Sequence, residues 1–149
     1  MLLGIKRIYE KASITDGRRI LVDRLWPRGV RRSTANIDSW IRDVAPSKEL
    51  RSWFLHDTTK WVQFEKKYRK ELEANEYVRV LMNKSKRDDV TLVYSSNDKR
   101  HNNAVVLLKF LREKLREDHK QELKLLKEKQ RLKLQRQKQK NIKLNLTYS

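Results

Sequence analysis

The five residues Val90–Tyr94, VTLVY, carry no charge in a chain where 38% of residues are Asp, Glu, Lys or Arg. Charged and turn-forming residues bound the run on both sides, KRDD at 86–89 and SSND at 95–98. Successive strand residues point to opposite faces, so an uncharged run suits a strand covered on both faces. It therefore predicts a strand of a parallel sheet packed between helices. That expectation constrains the fold more than any other stretch.

Two further runs, LLGIKRIY (2–9) and RRILVDRL (18–25), read as strands with Asp16-Gly17 turn chemistry between them. Ser47 after Pro46 predicts an N-cap with Glu49 in the first turn, opening a helix to about His56 that buries Leu50, Trp53 and Phe54. Thr58 or Thr59 is the expected cap of a second helix, in which Trp61, Phe64, Tyr68 and Leu72 follow helical spacing. After the uncharged strand, Ala104, Leu107, Leu108, Leu111 and Leu115 form one apolar helical stripe. Trp40, Trp53, Trp61, Phe54 and Phe64 sit where helices bury their aromatics and are expected in the core. Trp26 alone falls in a loop. The fold class expected is α/β: one compact domain with a small, mainly parallel sheet between helices, followed by a basic helical tail.

The boundary of that tail is a change of composition. From about Arg116 the chain turns to Lys, Gln, Leu, Arg and Glu, so the domain is expected over 1–116 and a basic tail, helical or partly disordered, over 117–149. His119 to Ser149 holds ten Lys or Arg against two Glu, within a chain of net charge +18. Such a balance attracts polyanions without selecting among them. The tail is rich in helix formers. Leu125 and Leu132 are seven apart, but Asp118, Glu122 and Lys129 break any heptad seam, which argues against a coiled-coil partner. No helix-turn-helix, zinc-finger or aromatic RNA-binding signature is present.

Cysteine is absent, which excludes disulfides, a thiolate nucleophile and a cysteine zinc site. One Asp and one His per loop at no diagnostic spacing do not build a metal site, and no cofactor is indicated. The apolar residues of MLLGIKRIYE are too few for a signal peptide, and no run approaches a membrane span, so a cytoplasmic protein is expected.

The segments IKRIYE, DGRRILVDRLWPRG, APSKELRSWFLHD and VTLVYSSNDKRHNNAVVLLKFL together resemble the YeaO-like family of small bacterial proteins, over about Leu3 to Leu115. VDRLWPRG is the most specific part. The resemblance implies a compact α/β domain with strands buried among helices, and it brings no established activity. It also pairs two motifs: Asp-Arg-Leu-Trp-Pro-Arg-Gly, here Asp23 to Gly29, and Asp-x-x-His-Asn-x-Ala, here Asp98, His101, Asn102 and Ala104. More distant relatives carry cysteines in the second motif. This chain lacks them, so thiol chemistry does not transfer to it.

In an open parallel sheet, ligands collect outside the carboxyl ends of the strands. If RRILV and VTLVY run parallel, Asp23, Arg24, Trp26 and Arg28 emerge on the same edge as Ser95, Ser96, Asn97, Asp98 and His101. Arg24 and Arg28 offer planar donors suited to phosphate or carboxylate, with Trp26, Ser95 and Asn102 as further ligand contacts. His101 can act as general acid or base, oriented by Asp98 or Asp23. The expected function is binding of a small phosphate- or carboxylate-bearing molecule, or hydrolase- or transferase-like chemistry on one, between the two loops. The alternative is non-specific nucleic-acid binding through the basic surface, with Lys124, Lys127, Arg131 and Arg136 of the tail as contacts. Three structural readings compete: Asp23 paired with Arg24 or Arg28 as a buried ion pair, His101-Asn102 as a helix cap, and Ser95–Asp98 as an ordinary turn.

Overall fold

A computed structural model describes residues 1–148. Four strands, β1 (Leu3–Arg7), β2 (Arg18–Leu21), β3 (Ser39–Trp40) and β4 (Val90–Tyr94), form one sheet in the order β1-β4-β2-β3. Every pairing is parallel. The α helices are α1 (Lys48–Phe54), α2 (Trp61–Glu73), α3 (Tyr77–Arg87) and α4 (Asn103–Tyr148). The protein is α/β, with a small parallel sheet and a long C-terminal helix.

The uncharged run lies where its composition demands. β4 is hydrogen-bonded to β1 on one edge and to β2 on the other, and all five of its residues are buried. Around it, Phe64, Tyr68 and Leu72 of α2, Leu81 and Met82 of α3, and Val106, Leu107, Phe110 and Leu111 of α4 are each at most 3% exposed. Of the predicted stripe on the last helix, Ala104, Leu107 and Leu111 are buried, while Leu108 and Leu115 are half-buried.

Local signals set the helix ends. Ser47 caps α1 as expected, its Oγ accepting from Leu50 N at 3.1 Å. Neither Thr58 nor Thr59 caps α2: both lie in a 3-10 turn, Thr58–Lys60, capped by Asp57 Oδ1 accepting from Thr59 N, and α2 starts behind it at Trp61 without a side-chain cap. Trp40 is another correction: it lies in the two-residue strand β3 and not in a helix. Phe54 and Phe64 are core residues, whereas Trp40, Trp53 and Trp61 are only half-buried.

Asp16-Gly17 is the turn leading into β2, and it binds three strands together. The Asp16 carboxylate, 6% exposed, accepts from Lys6 Nζ of β1 at 2.7 Å and from Arg19 Nη1 of β2 at 2.7 Å. Its carbonyl accepts from Thr91 Oγ1 of the intervening β4 at 2.7 Å. Gly17 follows with φ +63, and a Cβ there would stand 2.3 Å from the Asp89 carbonyl oxygen. Only glycine admits that approach, which lets Arg18 N donate to Asp89 O at 2.8 Å.

The chain separates into two compact units, the first spanning Met1–Glu113 and the second beginning at Lys114. In the second, α4 residues from Glu122 to Tyr148 are all exposed. Among the described residues, no helix is long and apolar enough to cross a membrane.

Burial by itself would push the Asp16 carboxyl up, but the Lys6 ammonium, the Ser13 amide and the Arg19 guanidinium outweigh it and hold the group below its ordinary 3.8. A carboxyl lowered in the folded state stabilises fully above its unfolded pKa, and that contribution disappears as pH falls through the folded value. Asp16→Asn is therefore expected to cost about 3 kcal/mol at neutral pH, because Lys6 and Arg19 lose their anion, and to flatten the acid limb of stability. Urea melts between about pH 7 and pH 2 measure both effects. An acid limb as steep as that of the unsubstituted protein would assign the linked proton to another group.

Candidate ligand-binding site

The carboxyl ends of β2 and β4 lie side by side, since Leu21 pairs with Val93. The loops leaving them, from Val22 and from Ser95, therefore start together on one edge of the sheet. They border a cavity of about 450 Å³, completed by the segment Ala45–Pro46, the end of α1 and the start of α4. Of the first motif, Asp23, Arg24 and Leu25 line it; of the second loop, Ser95, Ser96, His101, Asn102 and Asn103 do.

The two loops are joined through Asp23. Its Oδ2 accepts from Ser95 N at 2.9 Å and Ser95 Oγ at 2.8 Å, and its carbonyl accepts from Trp40 Nε1 at 2.7 Å. The Asp23 carboxylate thus pairs with Ser95, and the expected ion pair with Arg24 or Arg28 does not form. Arg24 donates to the carbonyls of Pro46 and Ala45 at 3.3 and 3.2 Å and lies 3.9 Å from Asp43 Oδ1.

Trp26 and Arg28 are not among the cavity's lining residues. Trp26 folds back, donating Nε1 to Val30 O at 2.7 Å and packing edge-on against Trp40 with centroids 5.5 Å apart. Arg28 is exposed, and its carbonyl accepts from Tyr9 Oη at 3.0 Å. The two arginines of the motif therefore do not converge across Pro27 and Gly29. The motif turns its second half away from the crevice because the Trp26 ring finds apolar cover there, beside Ile8, Leu21 and Val93.

In the second loop, Asp98 receives the backbone amides of Arg100 and His101, both at 2.9 Å, and those amides lower its carboxyl below the usual range. Its Oδ2 lies 3.0 Å from His101 Nδ1, which fixes the ring of this cavity-lining residue. The edge of Trp61 meets the same ring, centroids 5.1 Å apart. Asn102 is a cap: its Oδ1 accepts from Val105 N at 3.0 Å and its Nδ2 donates to Asp98 O at 2.8 Å. Asn103 Nδ2 reaches back to Val22 O at 3.1 Å, locking α4 to the first loop.

Sequence reasoning missed Arg51, Leu55 and His56. Arg51 Nε is a buried donor without a hydrogen-bond partner, and Arg51 lines the cavity. Leu55 and His56 have φ of +43 and +57, the left-handed region that costs a non-glycine residue roughly 1–2 kcal/mol. Both also line the cavity. A signal did exist: α1 ends in SWFLHD, without the Gly or Asn that normally terminates a helix in this conformation.

A second cavity of about 490 Å³ opens beside Gly29, Val30 and Arg31. The buried guanidinium that lines it, Arg19, already donates to Asp16, Asn36 O and Ala35 O. In the first cavity the buried Arg51 Nε is unspent.

A small parallel α/β domain with a cavity of mixed polar and apolar lining at the strand ends is the class that this architecture defines. A family profile described as "Inactive DUF488-N3 subclade" matches residues 2–139, and the chain belongs to that family. It is 38% identical over 113 residues to the protein named "Uncharacterized protein YeaO" of Escherichia coli K12, covering 75% of this chain and 98% of the relative. It is 36% identical over 107 residues to uncharacterised proteins of Mycobacterium bovis and Mycobacterium tuberculosis, covering 72% of this chain and 91% of each relative. No solved structure matches the chain.

Asp23→Ala would leave the buried side of the Ser95 amide and hydroxyl without an acceptor and release the junction between the loops. It is expected to destabilise the protein by about 1–3 kcal/mol, and Ser95→Ala by about 1 kcal/mol. Denaturant melts of the two variants test the ranking; equal or negligible losses would mean that the junction does not hold the loops.

Proposed function

We propose that the chain binds a small phosphate- or carboxylate-bearing molecule in the cavity between the Asp23–Leu25 and Ser95–Asn103 segments. The observation that carries this reading is Arg51, a guanidinium that lines the cavity and makes no salt bridge among the described residues, and whose Nε is buried without a hydrogen-bond partner. A guanidinium without a carboxylate partner offers planar, charged donors, and an anion entering the cavity would supply the missing counter-charge. Arg24, His56, His101 and Asn103 add positive or donating groups around the same space. Binding is favoured over turnover. The family's own description contains the word "inactive", and Ser95 Oγ, the nearest thing to a nucleophile, donates to Asp23. In the catalytic alternative, His101 is the acid or base, Asp98 orients it, and Asp23 holds Ser95 or a water.

Inorganic phosphate and citrate are expected to raise the melting temperature of the full chain in proportion to the logarithm of their concentration, and Arg51→Met to abolish the rise. At one hundred times the dissociation constant, binding adds about 2.7 kcal/mol. A rise that survives Arg51→Met would locate the anion elsewhere.

A second reading rests on a separate observation: between His119 and Ser149, ten Lys or Arg face two Glu. In this reading α4 is an arm for nucleic acid, with Lys124, Lys127, Arg131 and Arg136 contacting phosphates. Arg131 already pairs with Glu128 at 2.5 Å, so it would have to exchange partners. Replacing all four with Glu should lower the slope of log affinity against log salt by up to about 3 to 4 for a generic RNA or DNA duplex. An unchanged slope in fluorescence anisotropy titrations would remove the tail from binding.

A further inference from the structure

The cavity has two chemically different ends. Arg51 supplies the unpartnered donor, whereas Leu25 and Leu55 contribute large apolar side chains that are 67% and 74% exposed. These leucines come from different loops, yet both border the same 450 Å³ space. In the same wall the rings of Phe54 and Phe64 are stacked, centroids 4.3 Å apart. Leu55 occupies a left-handed backbone position that glycine would fill without strain. A turn needed only for chain reversal gains nothing from a strained, water-exposed leucine. The space also exceeds what a bare inorganic anion fills, since cavities of several hundred Å³ match drug-sized molecules.

We propose that the ligand is an amphipathic acid: a phosphate or carboxylate head on Arg51, and an apolar aryl or short alkyl body covering Leu25, Leu55 and the Phe54 wall. The inference rests on the anion-binding reading and specifies the rest of the molecule. The head gives the Arg51 guanidinium a counter-charge, and the body takes the two leucines out of water. Leu55 is then a specificity residue, kept in a costly conformation because its side chain meets the ligand.

Isothermal titration of the full chain with inorganic phosphate, phenyl phosphate and benzoate tests this. Phenyl phosphate should bind at least tenfold more tightly than inorganic phosphate, as burial of one ring and one leucine provides. Leu55→Ala should weaken phenyl phosphate about tenfold and leave inorganic phosphate unchanged. Leu55→Gly, which suits the left-handed backbone, should weaken phenyl phosphate equally while raising the melting temperature, so loss of fold cannot explain the loss of binding. Equal affinities for phenyl phosphate and inorganic phosphate, both lost in Arg51→Met, would overturn the apolar half and leave the anion site standing. No binding of any of the three probes would overturn both.

Discussion

β4 takes hydrogen bonds from parallel strands on both edges, and the rest of the structure follows from that arrangement. Parallel partners require crossovers, so β1 and β2, consecutive in the chain, are separated by a strand that arrives seventy residues later. Asp16 compensates for that separation. Its carboxylate holds Lys6 and Arg19 on the two flanking strands, while its carbonyl holds Thr91 on β4. Both cationic partners of that charge come from strands that do not pair with each other, which makes the turn dependent on correct strand order.

The same arrangement creates the site. Because β2 and β4 are neighbours in register, the loops leaving them begin on one edge, and Asp23 joins them through Ser95. The DRLWPRG motif then divides its labour. Asp23 and Arg24 satisfy amides and carbonyls at the crevice, and Trp26 folds onto Trp40 and seals the sheet end. Much of the motif's charge is therefore spent on holding backbone in place. The group left over is Arg51, contributed by a helix whose capping and apolar residues explain its formation but not its orphaned donor.

The C-terminal helix has a different physical basis. Residues 122–148 are all exposed, so their helicity rests largely on intrinsic propensity and local pairs such as Arg131 with Glu128. The alignment with the Escherichia coli relative covers nearly all of that protein and three-quarters of this chain. The family match runs on to residue 139, into the basic helix, whose charge density is its main physical property.

Much of the architecture was legible in local sequence. VTLVY could only be a doubly covered strand, Ser47 could cap its helix alone, and the stripe through Ala104, Leu107 and Leu111 announced a buried face, since each depends on neighbours within a few residues. The two-residue strand β3 was not legible, because Ser39 and Trp40 are extended only through pairing with Ile20 and Leu21. The start of α2 was not legible either, because Thr58 and Thr59 are taken into a 3-10 turn capped by Asp57 and the helix begins only at Trp61. The candidate site was half legible: Asp23, Arg24, Ser95 and His101 do line one cavity, while Trp26 and Arg28 do not. Composition named the residues able to meet an anion, but only the tertiary fold decided which donors are consumed by backbone carbonyls and which remain. The physical reason is that hydrogen-bond satisfaction depends on atoms brought together from Arg24, Arg51 and His101, far apart in the chain, and no local pattern records that meeting.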